Sequence, residues 1–262
     1  MMRALWTAGT GMRAQQSNLD VISNNLANVN TTGFKKQRAE FEDLMYQTER
    51  QPGMTSSGNN NMLPTGVQMG HGVRLTATAR DFSQGNFQAT SSSMDMVIEG
   101  DGFFQIMMPD GTLAYTRNGA FKLDGNGNVV TSEGYLLEPA IQVSDGDTDF
   151  GVSRDGKVTV TGTDGKIKDL GEISIARFIN SAGLKSIGKN LYTETVASGA
   201  PVTGVPGENN AGTIVTNFVE MSNVQVVDEM VNMIVAQRAY EMNSKAVTTA
   251  DSMLEVAAGL KR

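Results

Sequence analysis

The sequence predicts a mixed α and β chain of discontinuous domains. N- and C-terminal helices pair as a coiled-coil-like domain, an extended linker region adjoins them, and an all-β outer domain fills the middle. Three observations lead there. An apolar repeat with heptad spacing opens the chain, a second closes it, and a run of short strand patterns punctuated by Asp-Gly lies between them. The expected boundaries are 1–33 and 222–262 for the helical domain and 91–199 for the β domain. The connector takes 34–90 and 200–221, with an insert at 47–66.

In the first segment Leu5, Met12, Leu19 and Leu26 recur every seven residues, and Ala8, Gln15, Ile22 and Val29 follow each by three. In the last, Val226, Met233, Tyr240, Val247 and Leu254 repeat every seven, with Ala236, Asn243, Ala250 and Ala257 on the same stripe. A strict heptad keeps one seam facing a partner helix. A seam at each end suggests that the ends pair with each other or with neighbouring copies. Leu5, Met12, Leu19, Ile22, Leu26, Val29, Val226, Met233, Tyr240, Val247 and Leu254 are therefore the candidate self-assembly residues. Periodicity alone equally allows two amphipathic helices packed on one globular core.

The first helix is expected over 3–30, fraying at Gly9 and Gly11, and Thr31-Thr32-Gly33 stops it. In the insert, Gln51-Pro52-Gly53, Asn59, Asn60 and Pro64 are breakers with almost no apolar company. Roughly 20 residues without regular structure is long for a compact domain, so order on assembly is expected there. Residues 67–97 read as extended. Strands are expected at 103–108, 113–116, 120–123, 128–131, 157–161, 173–178 and 191–196. Asp-Gly at 110–111, 124–125, 155–156 and 164–165 supplies the turns. Residues 200–210 look like a return linker and 211–220 extended again. Ser222 and Gln225 form a capping-box pattern, Met221 and Val226 its staple, and Asp228 and Glu229 suit the positive end of the helix dipole. Lys261 and Arg262 suit the other end. If helical throughout, this segment is roughly 55 Å long, more than a domain of this size needs for its own core.

At 262 residues the chain has room for one large domain or two to three small ones. Twenty-nine glycines and 6% aromatics suit turns and modest cores rather than a deep enzyme pocket. A net charge of −7 argues against a general nucleic-acid binder. Lys35, Lys36 and Arg38, the one basic cluster, read as a solvated face. No cysteine is present, which removes disulfides and thiolate metal sites. The N-terminal segment lacks the apolar region of a signal peptide, and no stretch approaches the roughly 20 apolar residues that span a bilayer. The expectation is no membrane insertion, and no cleaved signal if the chain is exported.

His71 is a lone histidine between glycines and reads as a turn residue. Asp124-Gly-Asn126-Gly-Asn128 resembles a calcium loop but has Val129 and Tyr135 where glycine and an acid belong, and 145–149 fails similarly. A strand pattern follows Gly100-Asp-Gly102, so it is no phosphate fingerprint, and no nucleophile elbow occurs. No catalytic, cofactor or metal site is expected.

Ser23-Asn-Asn-Leu-Ala-Asn-Val-Asn-Thr-Thr-Gly-Phe-Lys35 resembles the N-terminal motif of the bacterial flagellar basal-body rod and hook family. Gly100-Asp-Gly-Phe-Phe104 and Tyr115-Thr-Arg-Asn-Gly-Ala-Phe121 resemble its β-domain signature, and Ser222-Asn-Val224 and Gln237-Arg-Ala-Tyr240 its C-terminal signature. Phe41-Glu-Asp-Leu44, Tyr46-Gln47, Arg50-Gln51-Pro52-Gly53 and Ser186-Ile-Gly-Lys-Asn-Leu-Tyr192 fit the rod members rather than the usually longer hook members. The resemblance implies a structural, non-enzymatic subunit of the distal rod, a helical homopolymer that transmits torque and encloses an export conduit. It implies type III export and a periplasmic place in the basal body. The implied partners are the type III export apparatus, proximal rod proteins, the hook protein, and the P-ring and L-ring proteins. The insert resembles the segment that separates the straight rod from the curved hook. Two other classes stay open on the residues alone. A sugar-binding β module would need an aromatic platform, and a peptidoglycan hydrolase a pocket with a perturbed carboxylate.

Overall fold

Helix α1 (Met2–Ala27) runs unbroken through Gly9 and Gly11, and helix α2 (Val226–Gly259) is thirty-four residues long. The computed structural model describes residues 2–53, 64–144, 146–162, 165–208 and 210–259. Gly11 persists inside a helix because of its neighbour: a Cβ there would lie 2.9 Å from Asn243 Nδ2. Farther along, Asn25 Nδ2 donates to Glu229 Oε2 at 3.3 Å. These two contacts lie fourteen residues apart on each helix and in opposite chain order, so the helices run antiparallel.

The helices share their unit with four strands, β1 (Gln37–Asp43), β2 (Tyr46–Arg50), β3 (Val67–Gly70) and β4 (Val73–Arg80). β1 pairs with β4 and β2 with β3, giving one ribbon nested on another. Asn25 fixes its start by accepting from Gln37 N at 2.9 Å and donating to Gln37 O at 2.8 Å. Thr10 Oγ1 accepts from Val73 N at 3.4 Å. These bonds put residues 37–79 with the helices, where the sequence had suggested a connector over 34–90. The insert is likewise partly regular, since Gln47, Thr48 and Arg50 pair with Met69, Gln68 and Val67.

The second unit comprises residues 27–36 and 80–225. Its first strands are β5 (Phe87–Ala89), β6 (Met96–Glu99), β7 (Phe103–Met107), β8 (Leu113–Thr116), β9 (Phe121–Leu123), β10 (Val129–Thr131), β11 (Leu136–Glu138) and β12 (Thr148–Val152). There follow β13 (Lys157–Thr161), β14 (Ile167–Glu172), β15 (Ile175–Arg177), β16 (Lys185–Gly188), β17 (Leu191–Thr193), β18 (Val202–Gly204), β19 (Thr213–Thr216) and β20 (Phe218–Glu220). The main sheet runs β16-β17-β8-β7-β11-β10-β9, with β15 bridging β7 and β18. A second sheet runs β12-β13-β14, and β6–β19 and β5–β20 form pairs.

β7 is buried on both faces, which explains why Phe103 and Phe104 stand side by side in sequence. Phe104 meets Phe121 edge-on at 5.2 Å in one apolar cluster with Met96, Ile98 and Ile106. Phe103 points the other way, into a cluster with Tyr115, Phe178 and Tyr192. Both clusters lie inside one unit, so the few aromatics are concentrated where they stabilise most.

All seven expected strands are present within their expected ranges. β14 and β16 escaped notice because they are largely exposed sheet edges without a buried alternation. β18 escaped because 202–204 lies among breakers, yet Ile175 pairs with Gly204 there. The capping box does not form. Ser222 Oγ accepts from Val224 N at 3.3 Å, and α2 starts only at Val226. Asn223, between the two, is held outside the helix, accepting from Lys36 N and donating to Asp81 O. Lys261 and Arg262, expected at the far end, lie outside the described residues.

The Asp-Gly turns also differ from the two-residue type expected. In the loops 108–112, 124–128, 131–135 and 153–157, the first residue's N–H donates to the fifth residue's carbonyl. The fourth, always glycine, donates back to the first. Gly111, Gly127, Gly134 and Gly156 have φ of 79°, 79°, 84° and 82°. This is the turn closed by a left-handed glycine. In 124–128 the required glycine is therefore Gly127, not the Gly125 of the dipeptide. Asp164 of the fourth dipeptide lies outside the described residues. A Cβ on Gly127 would lie 2.1 Å from Val143 O, whereas Gly125 faces open space. Gly127→Ala is expected to cost more than about 2 kcal/mol and Gly125→Ala less than about 0.5 kcal/mol in urea unfolding. Equal costs would contradict this assignment of the turn.

Candidate assembly interface

The antiparallel helix pair brings most of the candidate seam residues to one stripe. Ile22 is buried, and Leu5, Met12, Leu19, Leu26, Met233, Val247 and Leu254 are half-buried. Ala236 and Ala250 are buried on α2, so its inner face is lined with small residues. Val226 and Tyr240 remain 41% exposed. Val29 does not continue the stripe. α1 ends at Ala27, and Thr31 N donates to Asn28 O, so Val29 sits in a turn.

Of the insert residues, Gln51, Pro52 and Gly53 follow β2 and Pro64 precedes β3, whereas Asn59 and Asn60 lie outside the described residues. The ribbon that carries the insert is exposed along both strands. It is tied to α1 by Arg3 Nη1, which donates to Glu49 Oε1 at 2.8 Å.

In the second unit the structure gathers a group that sequence reasoning missed. Lys35 had read as part of a solvated basic face, but its side chain is wholly buried. Its Nζ donates to Glu220 Oε1 at 2.6 Å and to Ser83 O at 2.7 Å. Arg117, also buried, places Nη1 3.5 Å from Glu220 Oε2 and donates to the carbonyls of Ile98 and Gly100. Gly85 N donates to the same carboxylate at 2.8 Å. Burial, reinforced by the Arg117 charge, draws the Lys35 ammonium below its ordinary range against the pull of Glu220.

Around this triad the sequence motifs meet. Gly33 N donates to Glu220 O at 2.8 Å, and a Cβ on Gly33 would lie 2.6 Å from Asn118 N. Asn190 Nδ2 donates to Thr32 O at 2.8 Å. Gly119, in the second motif, allows Met96 O to approach within 1.5 Å of where a Cβ would stand. The signal that could have found the triad was present in the motif Thr32-Gly33-Phe34-Lys35. A lysine directly after a left-handed glycine and a buried phenylalanine has no solvated helix face to occupy.

The charges predict an order of sensitivity. Glu220→Gln keeps the shape but leaves two buried cations without a carboxylate, and is expected to cost about 3–5 kcal/mol. Lys35→Met leaves Glu220 paired with Arg117 and should cost clearly less. Urea unfolding followed by the near-ultraviolet signal of Tyr115 and Tyr192 reads both. The reverse order would show that Arg117 does not share the carboxylate.

Comparison with known proteins agrees with this geometry. Residues 5–35 match the family model described as flagella basal body rod protein. Residues 97–160 match that of the flagellar hook protein FlgE/F/G D1 domain, and 215–260 that of the flagellar basal body rod FlgEFG protein C-terminal. The flagellar basal-body rod protein FlgG of Borreliella burgdorferi is 53% identical over all of both chains. That of Bacillus subtilis is 42% identical, again over all of both. The flagellar hook protein FlgE of Helicobacter mustelae is 47% identical over 53% of this chain and 30% of its own. The motifs around Gly33, Arg117 and Ser222 fall inside the matched segments, and the chain belongs to the bacterial flagellar basal-body rod and hook family, with full-length likeness there to the rod protein FlgG.

Proposed function

We propose that this structural subunit of the flagellar rod works in the distal rod, polymerising helically into a rigid tube that carries motor torque to the hook and encloses a conduit for exported subunits. The observation that supports this best is the incomplete burial of the helix pair. Seven of the seam residues are only half-buried in the single chain. Each Leu or Met that a neighbouring copy covers adds part of the roughly 1.5–3 kcal/mol available from full burial. The seam residues Leu5, Met12, Leu19, Ile22, Leu26, Val226, Met233, Tyr240, Val247 and Leu254 then line the joints of an inner tube.

The same reading gives the subunit its partners: proximal rod proteins, the hook protein, and the P-ring and L-ring proteins around it. It arrives through the type III export apparatus without a cleaved signal and comes to rest in the periplasmic part of the basal body. Its work is mechanical and needs no active site. The insert flanked by Gln51, Pro52, Gly53 and Pro64 keeps the rod straight. Its exposed ribbon carries Tyr46, Val67 and Met69, apolar side chains suited to lie between neighbours.

Two experiments test this. Leu19→Asp and Val247→Asp each place a carboxylate on the seam, where desolvation costs several kcal/mol. Both are expected to abolish polymers and motility while the β unit keeps its tyrosine signal. Normal motility with either variant as sole copy would refute the seam. Deleting residues 54–63 should leave the melting temperature of the monomer unchanged, because a shorter loop alters closure entropy little. It should also give rods that bend in electron micrographs. Rods as straight as the parent's would remove the mechanical role.

A further inference from the structure

We infer that the outer face of α2 in one copy docks into a groove beside α1 in a second copy. This contact rests on the assembly reading above and adds which surfaces meet. On α2, Val227, Met230, Val231, Ile234 and Val235 lie within about three turns and are 51–72% exposed. They stand opposite the inner stripe of Ala236, Asn243 and Ala250, so α1 of the same chain cannot cover them. Contiguous apolar surface of this kind marks an interaction site on a protein of modest core.

The groove lies on the other outward face of the same unit. Trp6, Ala14, Leu44, Val73 and Leu75 line a cavity of about 370 Å³, with Arg13 among them. On α1 these positions recur at Trp6, Thr10, Ala14 and Ser17, a flank roughly a quarter to a third of a turn round from Gly11 and Ile22. Groove and face therefore point outward from one antiparallel pair and cannot meet within a chain. A second copy is the occupant that carries the complementary surface by construction.

Size and charge agree. The groove follows α1 for roughly 17 Å from Trp6 to Ser17, and the α2 face from Val227 to Val235 needs roughly 12 Å. Arg13 is exposed in the groove, and exposed Asp228 flanks the α2 face. A contact between two different surfaces of the same chain is head-to-tail, and where the rotation does not close, it generates an open helical filament. That is the symmetry a rod requires.

The cysteine-free chain makes the test direct. Leu75→Cys protein is mixed with Ile234→Cys or Val231→Cys protein carrying a tag of different size, polymerised, and oxidised. Every mixed disulfide then joins two copies. The mixed product is expected at about tenfold or more over that with Thr112→Cys, an exposed control in the β unit. Arg13→Glu and Asp228→Arg should each raise the critical concentration about fivefold, and together return it to within about twofold of the parent. Filaments that form without enriched mixed disulfide would overturn the docking and leave assembly standing. Failure of the unmodified chain to polymerise under the same conditions would bring down the assembly reading and the docking with it.

Discussion

Glu220 is one carboxylate asked to satisfy two buried cations, and the β unit is arranged around that demand. Lys35 lies 185 residues away in the chain, on the segment that follows α1, while Glu220 lies just ahead of α2. Arg117 comes from the loop after β8. Taking three charged groups out of water is expensive, and their mutual attraction offsets the cost only with close geometry and further hydrogen bonds. Here the carbonyls of Ser83, Ile98 and Gly100 accept further hydrogen bonds from the cations, and Gly85 N donates to the carboxylate, while Arg117 Nε and Glu220 Oε2 have no hydrogen-bond partner. Without Glu220 neither Lys35 nor Arg117 has a carboxylate partner among the described residues. The triad therefore ties together three segments that lie far apart in the chain.

The glycines of the motifs follow from the same demand. Gly33 brings the backbone after α1 against Asn118, Gly85 allows Met221 O to come close, and Gly119 lets Met96 O approach. Each is a place where two backbones must nearly touch for the ions to meet. A side chain at any of them would push Lys35, Arg117 or Glu220 apart, leaving charge buried without a partner.

Much of the fold was legible because it obeyed a simple period. The heptads marked both helices, and alternation with Asp-Gly marked seven strands. What was not legible has specific causes. β14 and β16 are exposed edges, so nothing apolar announces them. The start of α2 was placed three residues early because Ser222 and Gln225 imitate a capping box, while the side chain of Asn223 was already committed to Lys36 and Asp81. Val29 kept the heptad spacing beyond the end of the helix. Lys35 was misjudged because charge is read from a sequence as exposure, and only the far-off Glu220 reverses that. Local signals carry local structure. Pairings between residues separated by most of the chain leave only an indirect local trace, such as a lysine directly after Gly33 and Phe34.

The two units stand in different relations to stability. The β unit holds its own core: two apolar clusters, edge-on aromatics and a buried ion triad all lie inside residues 27–36 and 80–225. The helical unit does not, because an antiparallel pair with alanines and Asn243 on one inner face is thin. A thin pair buries one stripe of each helix and leaves Val227, Ile234, Met242 and Val256 in water. Binding of neighbours would add RT ln(1 + [L]/Kd) to its stability, a gain that grows with their concentration. On the assembly proposed above, such a subunit has a β part that is stable by itself and a helical part that gains stability from its neighbours. Ala236 and Ala250 on the inner face of α2 bury little apolar area within one chain, while Val227, Ile234, Met242 and Val256 stay exposed; the proposed assembly would cover them.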